Sequence, residues 1–255
     1  MASMRDIKRR KDSIQSTGQI TKAMKLVSTV KLQKAKGRAE NTKPYFDLMY
    51  ETVQSILAKS GHINHKYLKE SESDKKAVIV VTANRGLAGG YNSNITRMII
   101  DEGFTKENTV VYAVGKKGRE LLERKGYEIK ADYSEAINDP IYKDAKEICD
   151  DVLSAFADGE VGEIYLAYTV FKNTVVHEPQ LIRLLPVEAD DAAHETDGSE
   201  ALMTYEPSEE EALDMIIPKY VCSLVYGALI ESVASENGAR MQAMDSATSN
   251  AEDMI

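Results

Sequence analysis

The sequence predicts an α/β fold: a small, mainly parallel-sheet domain inserted between two long terminal helices that form an antiparallel coiled coil. Three observations predict it. Ile230, Ala234, Asn237, Met241, Met244, Thr248, Ala251 and Ile255 are spaced alternately four and three residues apart, the heptad repeat that keeps one seam facing a partner helix. The middle of the chain changes period and carries β-branched runs, AVIVVTA at 77–83 and TVVYAV at 109–114, separated by helical patterns. The two ends carry opposite charge. Residues 1–43 hold twelve Lys/Arg against three Asp/Glu, and residues 187–255 hold sixteen Asp/Glu against two Lys/Arg. Opposite signs favour pairing the terminal helices with each other.

Taken in order, residues 1–58 read as one long helix or two nearly continuous ones. Ile20, Ala23, Val27 and Val30 supply a first apolar seam, and Phe46, Met49, Val53 and Ile56 a second. Between them the pattern weakens at Lys34, Gly37 and Asn41, and Pro44 is placed to kink or restart the helix. Residues 59–76 form a polar linker in which His62 and His65 read as surface histidines. The domain at 77–187 starts with the 77–83 strand, followed by a helix at 93–101, the 109–114 strand and a short helix within 115–126. A helix over 141–157 and strands at 163–171 and 179–187 close it, the last two near enough in sequence to pair as a hairpin. Residues 188–206 are an acidic loop, and Pro207 and Ser208 open the final helix, 207–255, with Glu209 to Glu211 at the end where the helix dipole favours acids.

Composition excludes several classes. The chain has 255 residues, a net charge of −9 and no Trp. No apolar run approaches the roughly 20 residues that span a bilayer. The N-terminus lacks the apolar stretch of a secretory signal. Cys149 and Cys222 lie far apart in sequence, with no metal or redox spacing, and read as two reduced thiols. The basic first helix has no interleaved aromatics for base stacking, so a nucleic-acid role is the weaker reading.

Candidate chemistry is sparse. TANRGLAGGYNSN (82–94) places Gly86, Gly89 and Gly90 between a strand and a helix, where a doubly wound fold binds phosphates. Its G-x-x-G-G spacing matches neither the dinucleotide fingerprint nor the P-loop, so it reads as a tight turn. Gly115-Lys116-Lys117-Gly118 opens a helix and reads likewise as a turn, although its geometry suits a weak anion cup. Asp150 and Asp151 are helix neighbours that point apart, which makes them poor paired carboxylates. No catalytic, cofactor or metal site emerges.

The terminal helices carry a resemblance. IKRRKDSIQSTGQITKAMKLVSTVKLQKA (7–35), above all ITKAMKLVSTVKL (20–32), resembles the first helix of the gamma subunits of F-type ATP synthases. SENGARMQAMDSATSNAEDMI (235–255) is similar to the family's C-terminal helix, and EIYLAYTVFKNTVVHEP (163–179) to its later strands. The resemblance implies a non-catalytic rotor shaft of bacterial type. It would turn inside a ring of alpha and beta subunits, with its foot joined to the epsilon subunit and seated on the membrane c-ring. It implies one copy per complex, peripheral attachment at the cytoplasmic face of the plasma membrane, and no cofactor, nucleic acid or membrane insertion. Met24, Lys25, Arg240 and Met244 match family positions in the segments that face the ring. The family's C-terminal helix usually runs past the AT-x-NA motif, so the shaft is expected to end early at Ile255. The rival reading from the residues is an α/β nucleotide-binding enzyme whose helical arms dimerise it.

Overall fold

The structure, a computed structural model, describes residues 4–59, 65–69, 73–187 and 208–255. Two helices dominate it: α1, Met4–Lys59, of 56 residues and α5, Glu209–Asp253, of 45 residues. At 1.5 Å per residue these are about 84 and about 68 Å long. Between them lie β1 (Lys76–Val81), α2 (Tyr91–Asp101), β2 (Thr109–Val114), α3 (Lys116–Arg124), β3 (Glu128–Asp132), a 3₁₀ turn (Ala136–Asn138), α4 (Tyr142–Ala157), β4 (Glu163–Phe171) and β5 (His177–Leu185). The acidic stretch 188–206 and His62 lie outside the described residues.

The sheet runs β3-β2-β1-β4-β5. β1 pairs parallel with β2 and β4, β2 parallel with β3, and only β5 runs antiparallel, as a hairpin with β4. The β-branched run of β1 serves both faces. Ala77, Ile79 and Val81 enter one core with α4 and the first half of α5, while Val78 and Val80 enter the other with α2 and α3. β3 escapes the sequence reading because EIKAD is an edge strand, alternately exposed, with too little apolar signal to separate it from a loop. Just beyond β1, Thr82 still donates its N–H to the Val114 carbonyl of β2 at 2.7 Å, while its Oγ1 and the Ala83 carbonyl serve α3.

α1 continues helical through Pro44, and α5 through Pro218. The two pack antiparallel. Thr21 Oγ1 lies 2.7 Å from Thr248 Oγ1, Lys25 Nζ 2.5 Å from Asp245 Oδ1, and the Phe46 ring abuts Tyr226 and Gly227. Further down, α5 from Leu213 to Leu229 belongs to the foot's own core. This half is apolar enough that an 18-residue window of α5 reaches a mean hydropathy of 1.5, which departs from the expectation that no such stretch exists. Packing against α4, the sheet and α1 accounts for it.

The α5 seam falls where the spacing puts it: Ile230, Ala234, Asn237, Met244 and Ala251 are buried, and only Ile255 stays exposed. The first α1 seam does not. Ile20, Val27 and Val30 are 58%, 58% and 67% exposed, and the buried positions are Thr21, Ser28, Leu32 and Ala35. The true seam is a single unbroken heptad, Ile14, Gly18, Thr21, Lys25, Ser28, Leu32, Ala35, Ala39, Thr42, Phe46, Met49, Val53 and Ile56, every member buried or half-buried. The expected seam, Ile20, Ala23, Val27 and Val30, lies one or two residues from the observed one, because apolar side chains are a poor marker of it here. Here small side chains are chosen so that the helices approach closely; a Cβ on Gly18 would sit 3.4 Å from Ala251 Cβ. His65 also departs from expectation. It is 2% exposed, its ring tilted against Tyr67 at 5.5 Å, with its Nε2 3.2 Å from Asp214 Oδ1 on α5.

The displaced seam sets a stability test. Leu32→Ala should cost about 2–3 kcal/mol, whereas Val27→Ser and Val30→Ser should change stability by less than about 0.5 kcal/mol. Denaturant melts of the three variants check this, and a costly Val27→Ser would restore the displaced register.

Candidate functional site

Strand order reverses beside β1, so the crevice between the ends of β1 and β4 is where a doubly wound fold holds its ligand. In this chain α5 lies in it. The Tyr91 hydroxyl at the start of α2 donates to the Ser232 carbonyl at 3.1 Å, and Ser235 Oγ donates to the Thr169 carbonyl of β4 at 3.1 Å. Burial pushes the Tyr91 phenol well above its ordinary range, so it stays a neutral donor. Arg240 Nη2 reaches the carbonyls of Arg85 and Gly86 in the Gly-rich turn, at 3.4 and 3.3 Å, while its Nη1 pairs with Glu236 at 2.6 Å. The turn is therefore a docking surface for α5.

The second anion candidate is also occupied by the chain itself. At the start of α3, the backbone N–H of Lys116 donates to Asn84 Oδ1 (2.9 Å), that of Lys117 to the Ala83 carbonyl (3.0 Å) and that of Gly118 to Thr82 Oγ1 (2.9 Å). These are the N–H groups an anion would use. Gly115 completes the join at φ 116°, where a Cβ would fall 2.1 Å from the Thr82 carbonyl oxygen. Asp150 and Asp151 form no pair; Asp151 accepts from Tyr133 instead.

The four family-matched positions fall in one region of the shaft. Met24 and Arg240 line the same groove of about 810 Å³ between α1, α5, the Gly-rich turn and the 3₁₀ turn, together with Val27, Leu87, Ile137 and Ile230. Lys25 sits half-buried on the seam with Asp245, and Met244 is buried beside it at 4% exposure. Arg240 is 9% exposed and turned inward to the turn and Glu236. What sequence reasoning missed is the exposed stripe Ile20, Leu26, Val27 and Val30, 58 to 67% exposed, whose residues had been assigned to the seam or passed over. Extending the heptad backwards from Ile56 finds it.

Cys149 and Cys222, distant in sequence, meet between α4 and α5 as buried free thiols. Their mutual hydrogen bond and burial push the Cys149 thiol up.

A long two-helix arm rooted in a foot whose ligand crevice is largely taken up by its own helix defines the class: a helical shaft carried on an α/β foot. Comparison with known proteins gives the family. A family model described as ATP synthase matches residues 3–255. The chain is 67% identical to an ATP synthase gamma chain of Lachnoclostridium phytofermentans over 100% of its own length and 90% of the relative's. It is 40% identical to the sodium ion specific ATP synthase gamma chain of Acetobacterium woodii, over 99% and 89%. Among solved structures, a chain from the central stalk/c-ring of the Tetrahymena thermophila mitochondrial ATP synthase matches with a TM-score of 0.67 and 26% identity, covering 89% of this chain and 99% of that one. The chain belongs to the ATP synthase gamma chain family, and it is a non-catalytic, central-stalk subunit of the rotor.

The Arg240 contacts give a second test. Arg240→Met leaves Glu236 and two turn carbonyls without their cation, and should cost about 2–3 kcal/mol. Amide exchange should speed up at 84–90. Unchanged exchange there would mean that Arg240 does not hold the turn.

Proposed function

We propose that this chain is the turning shaft that couples ion-driven rotation of a membrane c-ring to conformational cycling of a catalytic alpha/beta ring. Residues 1–58 and 207–255 make the shaft and 77–187 the foot. The foot would join the epsilon subunit on the c-ring, one copy per complex, held peripherally at the cytoplasmic face of the bacterial plasma membrane. The observation that carries the reading is the exposed apolar stripe Ile20, Leu26, Val27 and Val30 on a rigid helix pair, interleaved with Lys22 and Lys31. Apolar side chains left out of an available seam mark a surface that another protein covers. Exposed ammonium groups make weak contacts with acidic partners, suited to being broken at every step. Met24 and Lys25 would meet the ring directly, and Arg240 and Met244 would set the shape of the opposing helix. The relatives' names support the reading through the family, and the Tetrahymena chain's place in a central stalk supports it through geometry.

Co-expression with alpha and beta subunits of a related bacterium tests it. One copy of the chain should co-elute with three of each, and ATP turnover should require it. Val27→Asp with Val30→Asp should leave the chain folded yet lower turnover at least about tenfold, the effect of burying unpaired carboxylates at a contact. Full turnover by that variant, or exclusion of the wild-type chain from a competent alpha/beta ring, would remove the proposal.

A further inference from the structure

α5 does not fill the whole crevice. Beyond Tyr91 and Ser232 a cavity of about 280 Å³ remains between the Gly89–Gly90 turn, β4, β5 and the outer face of α5. It is built from polar groups that lack partners. Thr169 is 3% exposed, lines the cavity, and its Oγ1 is buried without a hydrogen bond. Beside it on the same face of the β4–β5 hairpin, where His177 pairs with Phe171, neither ring nitrogen of His177 reaches hydrogen-bond geometry, although the Thr174 backbone lies near enough to favour the protonated ring. The ring cannot turn away. Its Cε1 edge meets α5 at Gly238, where an added Cβ would come within 2.6 Å of His177 Cε1, and the Phe171 ring lies beside it at 5.9 Å.

The remaining wall decides the sign of the ligand. It is the N-terminus of α2, an 11-residue helix capped by Gly90 with no side-chain cap and no acid in its first turn; its first N–H, of Tyr91, is spent on the Ala88 carbonyl at 3.2 Å. That end of a helix favours negative charge. Asn94, Gln242 and Ser246 add neutral donors at the rim, and no Asp or Glu lines the cavity. Of the charged groups on the surrounding elements, Lys172 pairs with Glu178 at 2.5 Å and Glu236 with Arg240 at 2.6 Å, while Glu231, one carboxylate oxygen of which is buried without a hydrogen bond, faces Tyr168 and Lys43. We propose that this cavity, made by Thr169, His177 and the start of α2, binds a small oxyanion of the phosphate–sulfate class. Its volume has room for a small free ion. Thr169 donates its hydroxyl, His177 donates a ring N–H, and the helix end supplies partial positive charge. Burial holds the imidazole below its usual range and so favours its neutral form. A bound anion raises it again and draws a proton onto the second nitrogen. The inference stands apart from the shaft reading, since no subunit contact enters it.

Long-range ¹H–¹⁵N correlation on the full chain, labelled at histidine, reads the site directly. His177→Gln assigns its signal among the four histidines. With inorganic phosphate or sulfate added at constant ionic strength, the His177 signal should move saturably toward the imidazolium position. Thr169→Val should weaken the binding about tenfold. Ser246→Ala, at an exposed rim position, should weaken it a few-fold and serves where Thr169→Val fails to fold. A His177 signal indifferent to both anions overturns the site. So does an equal shift at every histidine, which is screening alone. A response to ADP without one to phosphate also overturns it and returns the crevice to a nucleotide.

Discussion

Everything else in the molecule depends on α5 lying in the crevice at the end of β1 and β4. That contact makes one helix serve two structures. From Leu213 to Leu229 it is a core helix of the foot, packed with α4 and the sheet, and from Ile230 onward it is one strand of a two-helix arm. A separate domain carrying a separate coiled coil would meet at a flexible joint. Here there is none, because the backbone hydrogen bonds of α5 run through the junction without a break. Tyr91, Ser235 and Arg240 fix its rotation about its own axis against the sheet. The same contact removes the usual chemistry of the fold, since the place for a ligand's bulk is taken by the chain.

The arm itself shows a division of labour between small and large side chains. The upper seam is Gly18, Thr21, Lys25 and Ser28 against Asp245, Thr248 and Ala251. It buries little apolar area, so burial alone contributes little to holding the two helices together there. Lower down, Leu32, Ala35, Phe46, Val53 and Ile56 supply that area, against Ala234, Gly227 and the foot core. Stability is therefore concentrated near the foot and declines along the arm. The large apolar groups of the upper part, Ile20, Leu26, Val27 and Val30, face outward. On the shaft reading, a tip held by small groups and coated with apolar ones would be completed by a surrounding partner.

The sequence was legible where one physical demand fixed each residue. Ala77 to Val81 must be a doubly buried strand because both neighbours of β1 are parallel and both faces are covered. The α5 heptad was readable because its small and Met positions recur without rivals. Two demands competed on α1: Val27 satisfies the apolar signal of a seam, but Ser28 satisfies its geometry, and close helix approach won. His65 was unreadable for another reason. Its burial depends on Tyr67 and on Asp214, 149 positions later in the chain, and no local pattern announces such a neighbour. The polar network around Thr82 and Asn84 was equally hidden, because β1 supplies the caps of α3, a helix that begins a whole β-α-β unit further on.

Arg240 shows how the two levels join. Its match to the family first suggested a charge offered to the ring, yet the guanidinium is spent within the chain, on Glu236 and the carbonyls of Arg85 and Gly86. A planar fork with several donors can hold a helix side chain and a loop backbone at once, which a lysine's point charge cannot. The turn it holds also forms one wall of the groove that contains Met24 and Val27. On the shaft reading, a push on the stripe at Val27 reaches the foot down α1 into Val53 and Ile56. On the far side of the groove, Arg240 ties α5 to the turn that follows β1, so the two helices are held to the foot through different contacts.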